Sequence, residues 1–399
     1  MNLLPTKADW DDALAAPLKN LLSGATVAIV ALPLALAFGI ASGMGAEAGI
    51  TTAIIAGALA AIFGGSRLQV SGPTGAMTVV LVPIFKDFGA SGVLFVGLVS
   101  GALLVLIALL KLGEHVHRLP TSLIEGFTAG IAVIISLQQL TYLNGPLQAV
   151  FGLAITAAIL ILQHFWPRLP FAFILVVIGT LIANWLGLDL TRIGALPATI
   201  GHWDLSFLQQ SRWLALMPSA LAVTILAALE SLLSAKVADR MRGGDEHHDA
   251  NKELFGQGIA NLVVPFFGGV PATAALARTA VNVRAGATAK SSALIHSVVL
   301  AVVVLLAGSL VSQIPLAALA GVLLATTAHM VKPRELLHTA RISWLDAIVM
   351  VATFVATVAL NLISGVIIGL VLALSLRKTK LGRLSRTYPV IDDTETLGD

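Results

Sequence analysis

The sequence predicts an all-α polytopic membrane protein built as two inverted halves. Three observations carry that prediction. Hydrophobic residues make up 57 % of the 399 residues and charged residues only 11 %, against roughly 25 % charged in soluble domains; mean hydropathy is +0.93. Apolar runs of about 17–25 residues, the length that crosses a bilayer, recur from end to end. Two interruptions of that pattern, FGGSRLQVSGPTGAMT from Phe63 to Thr78 and FGGVPATAALARTAV from Phe267 to Val281, match each other about half a chain apart.

About fourteen spans follow in order. The first half reads Leu22–Ile40, Ala46–Phe63, Thr74–Phe85, Val93–Leu112, Leu119–Leu140, Leu147–Phe165 and Leu169–Leu188. The second reads Trp213–Ala235, Leu254–Phe267, Ala275–Arg284, Ser291–Val311, Leu316–Met330, Leu345–Leu360 and Ile363–Leu376. Phe-Gly-Gly closes spans 2 and 9 alike, and a short helix opens after Gly72-Pro73 in one half and after Pro271 in the other. An odd number of spans per repeat forces the halves to be inverted. Paired short helices interrupted by Gly and Pro point to a transporter binding site near the membrane midplane. Their N-termini offer free N–H groups and about +0.5 of effective charge each, an anion site made of backbone. On that reading backbone approach matters more than the side chain of Thr273.

Lys and Arg are held back on the cytoplasmic side. With the N-terminus inside, all of the 24 Lys and Arg except Lys86, Arg192, Arg212 and Arg278 fall in cytoplasmic segments, so both termini are expected in the cytoplasm. The net charge of +3 reflects this bias and the anionic inner leaflet, and no nucleic-acid partner is needed. Cysteine is absent, which excludes disulfides and thiolate metal sites. The first twenty residues lack the apolar core of a signal peptide and read as a cytoplasmic lead-in. The polar stretch after Leu376 reads as a bare tail. Neither a Walker loop nor an HExxH motif is present, so the chain is expected to be no enzyme, to hold no cofactor or metal, and to be driven by gradients.

Two charges stand deep inside the spans. Arg278 costs about 2.5–3.5 kcal/mol in a membrane helix and therefore faces an anion, a carboxylate or a wet cavity. Glu230 is the only carboxylate that these spans place deep in the bilayer; burial there favours the neutral form and equips it to exchange protons. Ser234, four residues on, shares its helical face and is a candidate to coordinate a cation or water; a plain Glu230–Arg278 ion pair is the structural alternative. Glu125 reads as interfacial, and Glu47 as a first-turn carboxylate complementing a helix dipole. The cluster DEHHD, Asp245 to Asp249, has no metal-ligand spacing and reads as a solvated turn.

The run NKELFGQGIANLVVPFFGGVPATAALARTAVNVRAGATAKSSALIH from Asn251 to His296, with IPLAALAGVLLAT from Ile314 to Thr326, resembles the sulfate permease (SulP) family of anion transporters. QVSGPTGAMTVV (Gln69 to Val80) and VALPLALAFGIASG (Val30 to Gly43) resemble that family's third and first helices. The resemblance implies a seven-plus-seven inverted repeat in a bacterial inner membrane, as a homodimer. It implies an N-terminal arm (1–21), a core domain (22–112 and 201–311) that moves against a gate domain (113–200 and 312–377), and a tail (378–399) without the family's usual STAS domain. Carried over by position, the anion site is Phe38, Gly75, Ala76, Ala275, Leu276, Ala277 and Arg278, and Glu230 falls where coupled members carry an acid. Two departures thin the side-chain hydrogen bonding: Leu34 replaces a common glutamine and Ala277 a common serine.

Two helix ends plus Arg278 sum to about +2, or about +1 with Glu230 ionised. The arithmetic favours a dianion entering with a proton, and the resemblance is nearest to proton-coupled members that carry fumarate-like dicarboxylates. Sodium-coupled bicarbonate transport is the alternative. A nucleobase permease would need polar side chains where half-helix 10 has mostly alanine; a passive anion channel would show uncoupled flux; a scaffold would need a partner domain.

Overall fold

The computed structural model describes residues 3–10, 15–116, 121–167, 169–195, 199–243, 247–331, 333–360 and 362–378. Nearly all of the expected tail, 379–399, and Asp245 and Glu246 of the DEHHD cluster lie outside them. The first seven spans are α1 (Pro17–Ala41), α2 (Gly45–Phe63), α3 and α4 (75–88 and 90–109), α5 (Thr121–Gln139), α6 (Pro146–Phe165) and α7 (Phe171–Trp185). The second seven are α8 (Trp213–Arg242), α9 (Ala250–Val263), α10 (Leu276–Arg284), α11 (Ser291–Val311), α12 (Leu316–Met330), α14 (Trp344–Ala359) and α15 (Leu362–Lys378). Between α12 and α14 lies α13 (Pro333–Ile342), which the span reading treats as a loop. It is too short and too charged to register as a span.

Local chemistry accounts for the boundaries. Pro17 and Pro146 start α1 and α6, where a missing N–H costs nothing. Asp249 caps α9 by accepting from the N–H groups of Asn251 (3.0 Å) and Lys252 (2.9 Å), which gives the DEHHD cluster a structural use at its last residue. Gly89, at φ 68° and ψ −169°, separates α3 from α4, a backbone geometry that side chains resist.

The chain packs as two compact units, 1–118 with 134–329 and 119–133 with 330–399. Their boundaries differ from those of the expected core and gate domains. In the first unit α4 lies close against α9: a Cβ on Gly101 would stand 2.5 Å from the Leu262 nitrogen, so only glycine admits that approach. In the second, Leu123, Val349 and Ala373 form an apolar cluster, and Ser122 donates to Asp346 at 2.8 Å.

The two interruptions meet in the first unit. Strand β1 (Ser71–Gly72) pairs antiparallel with β2 (Thr273–Ala274), Ser71 opposite Ala274 and Gly72 opposite Thr273. The antiparallel pairing runs the chain through the crossing in opposite directions on its way to the short helices α3 and α10, as an inverted repeat requires.

Candidate anion site at the strand crossing

Irregular backbone inside a membrane domain must be satisfied by protein or water. Here side chains do it. Asn261 on α9 clamps Ala272, accepting from its N–H at 2.6 Å and donating to its carbonyl at 2.9 Å. Thr279 accepts from the N–H of Val70 at 3.2 Å, the Ala275 N–H donates to the Val70 carbonyl at 3.1 Å, and Asn282 donates to the Leu68 carbonyl at 2.8 Å. Glu253 accepts from the N–H groups of Gly65 and Ser66 (3.0 Å each) and from the amides of Gln69 (2.9 Å) and Gln257 (3.0 Å). Its side chain is 2 % exposed, so Glu230 is not the only buried carboxylate; span 9 starts at Ala250 rather than Leu254 and takes Glu253 inside.

The functional candidates lie around this frame. Phe38 on α1 is buried, and its ring covers the start of α3: a Cβ on Gly75 would meet Phe38 Cε1 at 3.1 Å and Ile135 Cδ1 at 2.5 Å. Ala76 is buried beside Gly75. At the start of α10 the picture is opposite. Ala275 is half-buried, Leu276 is 41 % exposed and Ala277 is exposed. Ala275 stands at the N-cap without a side-chain bond, so this helix end presents its N–H groups uncapped.

Arg278, 2 % exposed, does not extend away from the crossing. Its Nη2 donates to the Pro73 carbonyl at 2.6 Å, and the guanidinium lies against Gly72, where any Cβ would collide with it. The arginine of one repeat therefore straps the interrupted segment of the other.

Glu230 is half-buried on α8 and accepts from the Thr74 hydroxyl at 2.9 Å. Thr74 is also the N-cap of α3, accepting from the Met77 N–H at 3.3 Å. The next residue, Ser231, accepts from the Ala274 N–H at 3.3 Å and shares a hydrogen bond of 3.0 Å with Thr273. Thr273 also donates to the Ala227 carbonyl at 3.2 Å and is fully buried, so its side chain matters more than the sequence reading allowed. Glu230 and Arg278 form no direct ion pair among the described residues; each has its own tether. Ser234, considered as a cation ligand, donates to Thr279 at 2.9 Å.

Away from the crossing, Glu47 is in the first turn of its helix and meets His202 at 3.2 Å, Glu125 accepts from Thr339 at 3.0 Å, and His248 meets Asp239 at 2.6 Å. No cluster of metal-ligating side chains occurs among the described residues. Sequence reasoning missed Thr74 and Ser231. The first carries a helix-cap signal directly before Gly75; the second has none.

The model of the sulfate permease family matches residues 18–146 and 144–353. The putative sulfate transporter YvdB of Bacillus subtilis is 36 % identical over 94 % of this chain and 77 % of its own length. The bicarbonate transporter BicA of Synechocystis is 33 % identical over 94 % and 72 %. Among solved structures, the transmembrane domain of a cyanobacterium bicarbonate transporter BicA aligns with a TM-score of 0.80 at 32 % identity, covering 88 % of this chain and 97 % of that one. Murine Slc26a9 in the inward-facing state aligns at 0.82 with 18 % identity, over 92 % and 70 %, a likeness of fold. With its membrane helices, its paired broken helices and these relatives, the chain belongs to the sulfate permease family of multi-pass membrane anion transporters.

Proposed function

We propose that this transporter moves a dicarboxylate such as fumarate together with a proton, by alternating access of the core segments (22–112 and 201–311) against the gate segments (113–200 and 312–377). Phe38, Gly75, Ala76, Ala275, Leu276, Ala277 and Arg278 form the anion site in this reading, and Glu230 carries the proton. The supporting observation is the bond from Thr74, the cap of α3, to Glu230 at 2.9 Å. An ionised Glu230 sets its negative charge against the helix end that an anion would use, and protonation removes it, so proton and anion favour each other's binding. A homodimer in a bacterial inner membrane, both termini cytoplasmic, completes the proposal.

Sodium-coupled bicarbonate transport is the second reading, favoured by the 32–33 % identity to relatives named as bicarbonate transporters. Uptake of labelled fumarate, bicarbonate and sulfate into proteoliposomes, under an inward proton or an inward sodium gradient, tests both. Fumarate accumulation driven by protons is the expected result. Bicarbonate accumulation driven by sodium overturns it in favour of the second reading, and flux indifferent to both gradients makes the protein a passive channel.

A further inference from the structure

A second charged cluster lies apart from the strand crossing, at the end of the first unit where the N-terminal arm runs. Lys252 stands in the first turn of α9 and Lys290 is the residue before α11; they are 7 % and 1 % exposed. Both lysines thus stand at N-terminal helix ends, where the helix dipole disfavours a cation, and both are withdrawn from water. The compensating charge comes from far away in sequence. Asp9, in the short 3-10 turn Lys7–Asp9, accepts from Lys252 Nζ on both carboxylate oxygens (2.8 and 2.7 Å) and from Lys290 Nζ at 3.2 Å. Lys290 also donates to the Gly64 carbonyl at 2.5 Å. Thr6 closes the turn from behind, giving Asp9 its N–H at 2.7 Å and its hydroxyl at 2.8 Å.

We infer that Asp9 is a tethered anion, a carboxylate supplied by the chain itself to a two-lysine seat, and that it latches the N-terminal arm onto the helices that carry the strand crossing. The seat joins three elements: Gly64 follows α2 and leads to β1, α9 leads to β2, and Lys290 lies between α10 and α11. Asn20 of α1 reinforces it, accepting from the N–H groups of Thr288 (2.8 Å) and Ala289 (3.2 Å). Glu253, the other carboxylate in the field of Lys290, is occupied by its four donors at Gly65, Ser66, Gln69 and Gln257. Burial alone would raise the Asp9 carboxyl, but hydrogen bonds from Lys252 and Thr6 and the charge of Lys290 hold it well below the usual carboxylate range.

The latch is tested on the full chain in detergent by thermal unfolding of wild type, Asp9→Ala, Lys252→Met/Lys290→Met and the triple variant. Asp9→Ala is expected to lower Tm by about 5 °C or more, since it strands two buried cations. Added formate, at ionic strength held constant with a bulky sulfonate, should restore part of that loss by occupying the vacated seat. The same Asp9→Ala change should cost far less in the double-methionine background, where no cation needs it. Should Asp9→Ala yield no folded protein, recovery of folded triple variant supports the latch and its failure overturns it. An Asp9→Ala Tm equal to wild type, a loss equally large without the lysines, or a loss indifferent to formate also overturns it.

Discussion

Gly75 gives the sharpest test of the anion site, because the space above it is defined by two side chains. A Cβ there would lie 2.5 Å from Ile135 Cδ1 and 3.1 Å from Phe38 Cε1, whereas carbon atoms rest about 3.5–4.0 Å apart. Ile135 must retreat by about 1 Å and the Phe38 ring by about 0.5 Å to admit even alanine. Such overpacking costs about 1–3 kcal/mol, and alanine in place of Gly75, directly after the N-cap Thr74, recovers little of its interior helix propensity. Gly75→Ala is therefore expected to lose about 1–3 kcal/mol and to transport slowly. Gly75→Val adds two methyl groups toward Phe38 and should abolish uptake. Because the tightest contact is the tip of Ile135, the Ile135→Ala change in the Gly75→Ala protein should restore much of the lost rate. The assay is initial-rate uptake of labelled fumarate, bicarbonate and sulfate into proteoliposomes, with thermal unfolding in parallel. Wild-type transport by Gly75→Val, or no relief from Ile135→Ala, would refute the placement of the anion beside half-helix α3.

Arg278→Ala should weaken anion binding by more than tenfold, equivalent to about 1.4 kcal/mol, while the protein stays folded because the cost of the buried charge disappears with the bond to Pro73; unchanged affinity in the purified variant removes Arg278 from the site. Arg278→Lys should rescue poorly, since a point charge does not reproduce the planar strap. Glu230→Gln mimics the protonated side chain, so anion binding should persist while uptake stops responding to a proton gradient, and gradient-driven accumulation in that variant moves coupling elsewhere. Ser231→Ala and Thr273→Val break one shared hydrogen bond, so their destabilisations, about 1–2 kcal/mol each, should be non-additive in a double-mutant cycle; strict additivity contradicts the shared bond. The depressed Asp9 carboxyl makes its contribution to stability complete above the ordinary carboxylate value of about 3.9, and that contribution fades as pH falls through the lower folded value. Wild type should thus melt above Asp9→Asn by a constant margin from neutral pH down to mild acid, the two converging only in strong acid; a margin that already shrinks between about pH 7 and 5 contradicts this.

The spans and the paired breaks were legible because both are local signals: apolar runs of bilayer length, and Gly-Pro or Gly-Gly punctuation before a short helix. Arg278 and Glu230 were legible as charges in apolar surroundings. Their partners were not. Nothing near Glu230 in sequence announces Thr74, and the strap from Arg278 to Pro73 depends on the crossing of β1 with β2. Glu253 was missed because it stands at the polar edge of an apolar run, where hydropathy sees an interface, while its donors at Gly65, Ser66 and Gln69 come from the other repeat. Asp9 was read as part of a charged lead-in for the same reason, and helix α13 fell below the length and hydropathy of a span.

The two repeats present the same backbone device with unlike chemistry at each helix end. The end of α3 has a buried hydroxyl cap, a buried ring overhead and a half-buried carboxylate beyond the cap; the end of α10 has no side-chain cap, a guanidinium anchored to the opposite repeat, and an exposed first turn. A direct Glu230–Arg278 pair would satisfy both charges, and an arriving anion would have to break it at a cost that buried pairs make large. Separate tethers avoid this. Arg278 stays anchored beside the open end with no direct contact to Glu230 to break, and Glu230 can change its protonation against a neutral hydroxyl without releasing the arginine strap. The anion would then meet fixed positive charge at α10, while the field at α3 varies with the proton. On the proposed reading the two matched breaks therefore take different parts, the charge at α10 staying fixed while the field at α3 follows the proton on Glu230.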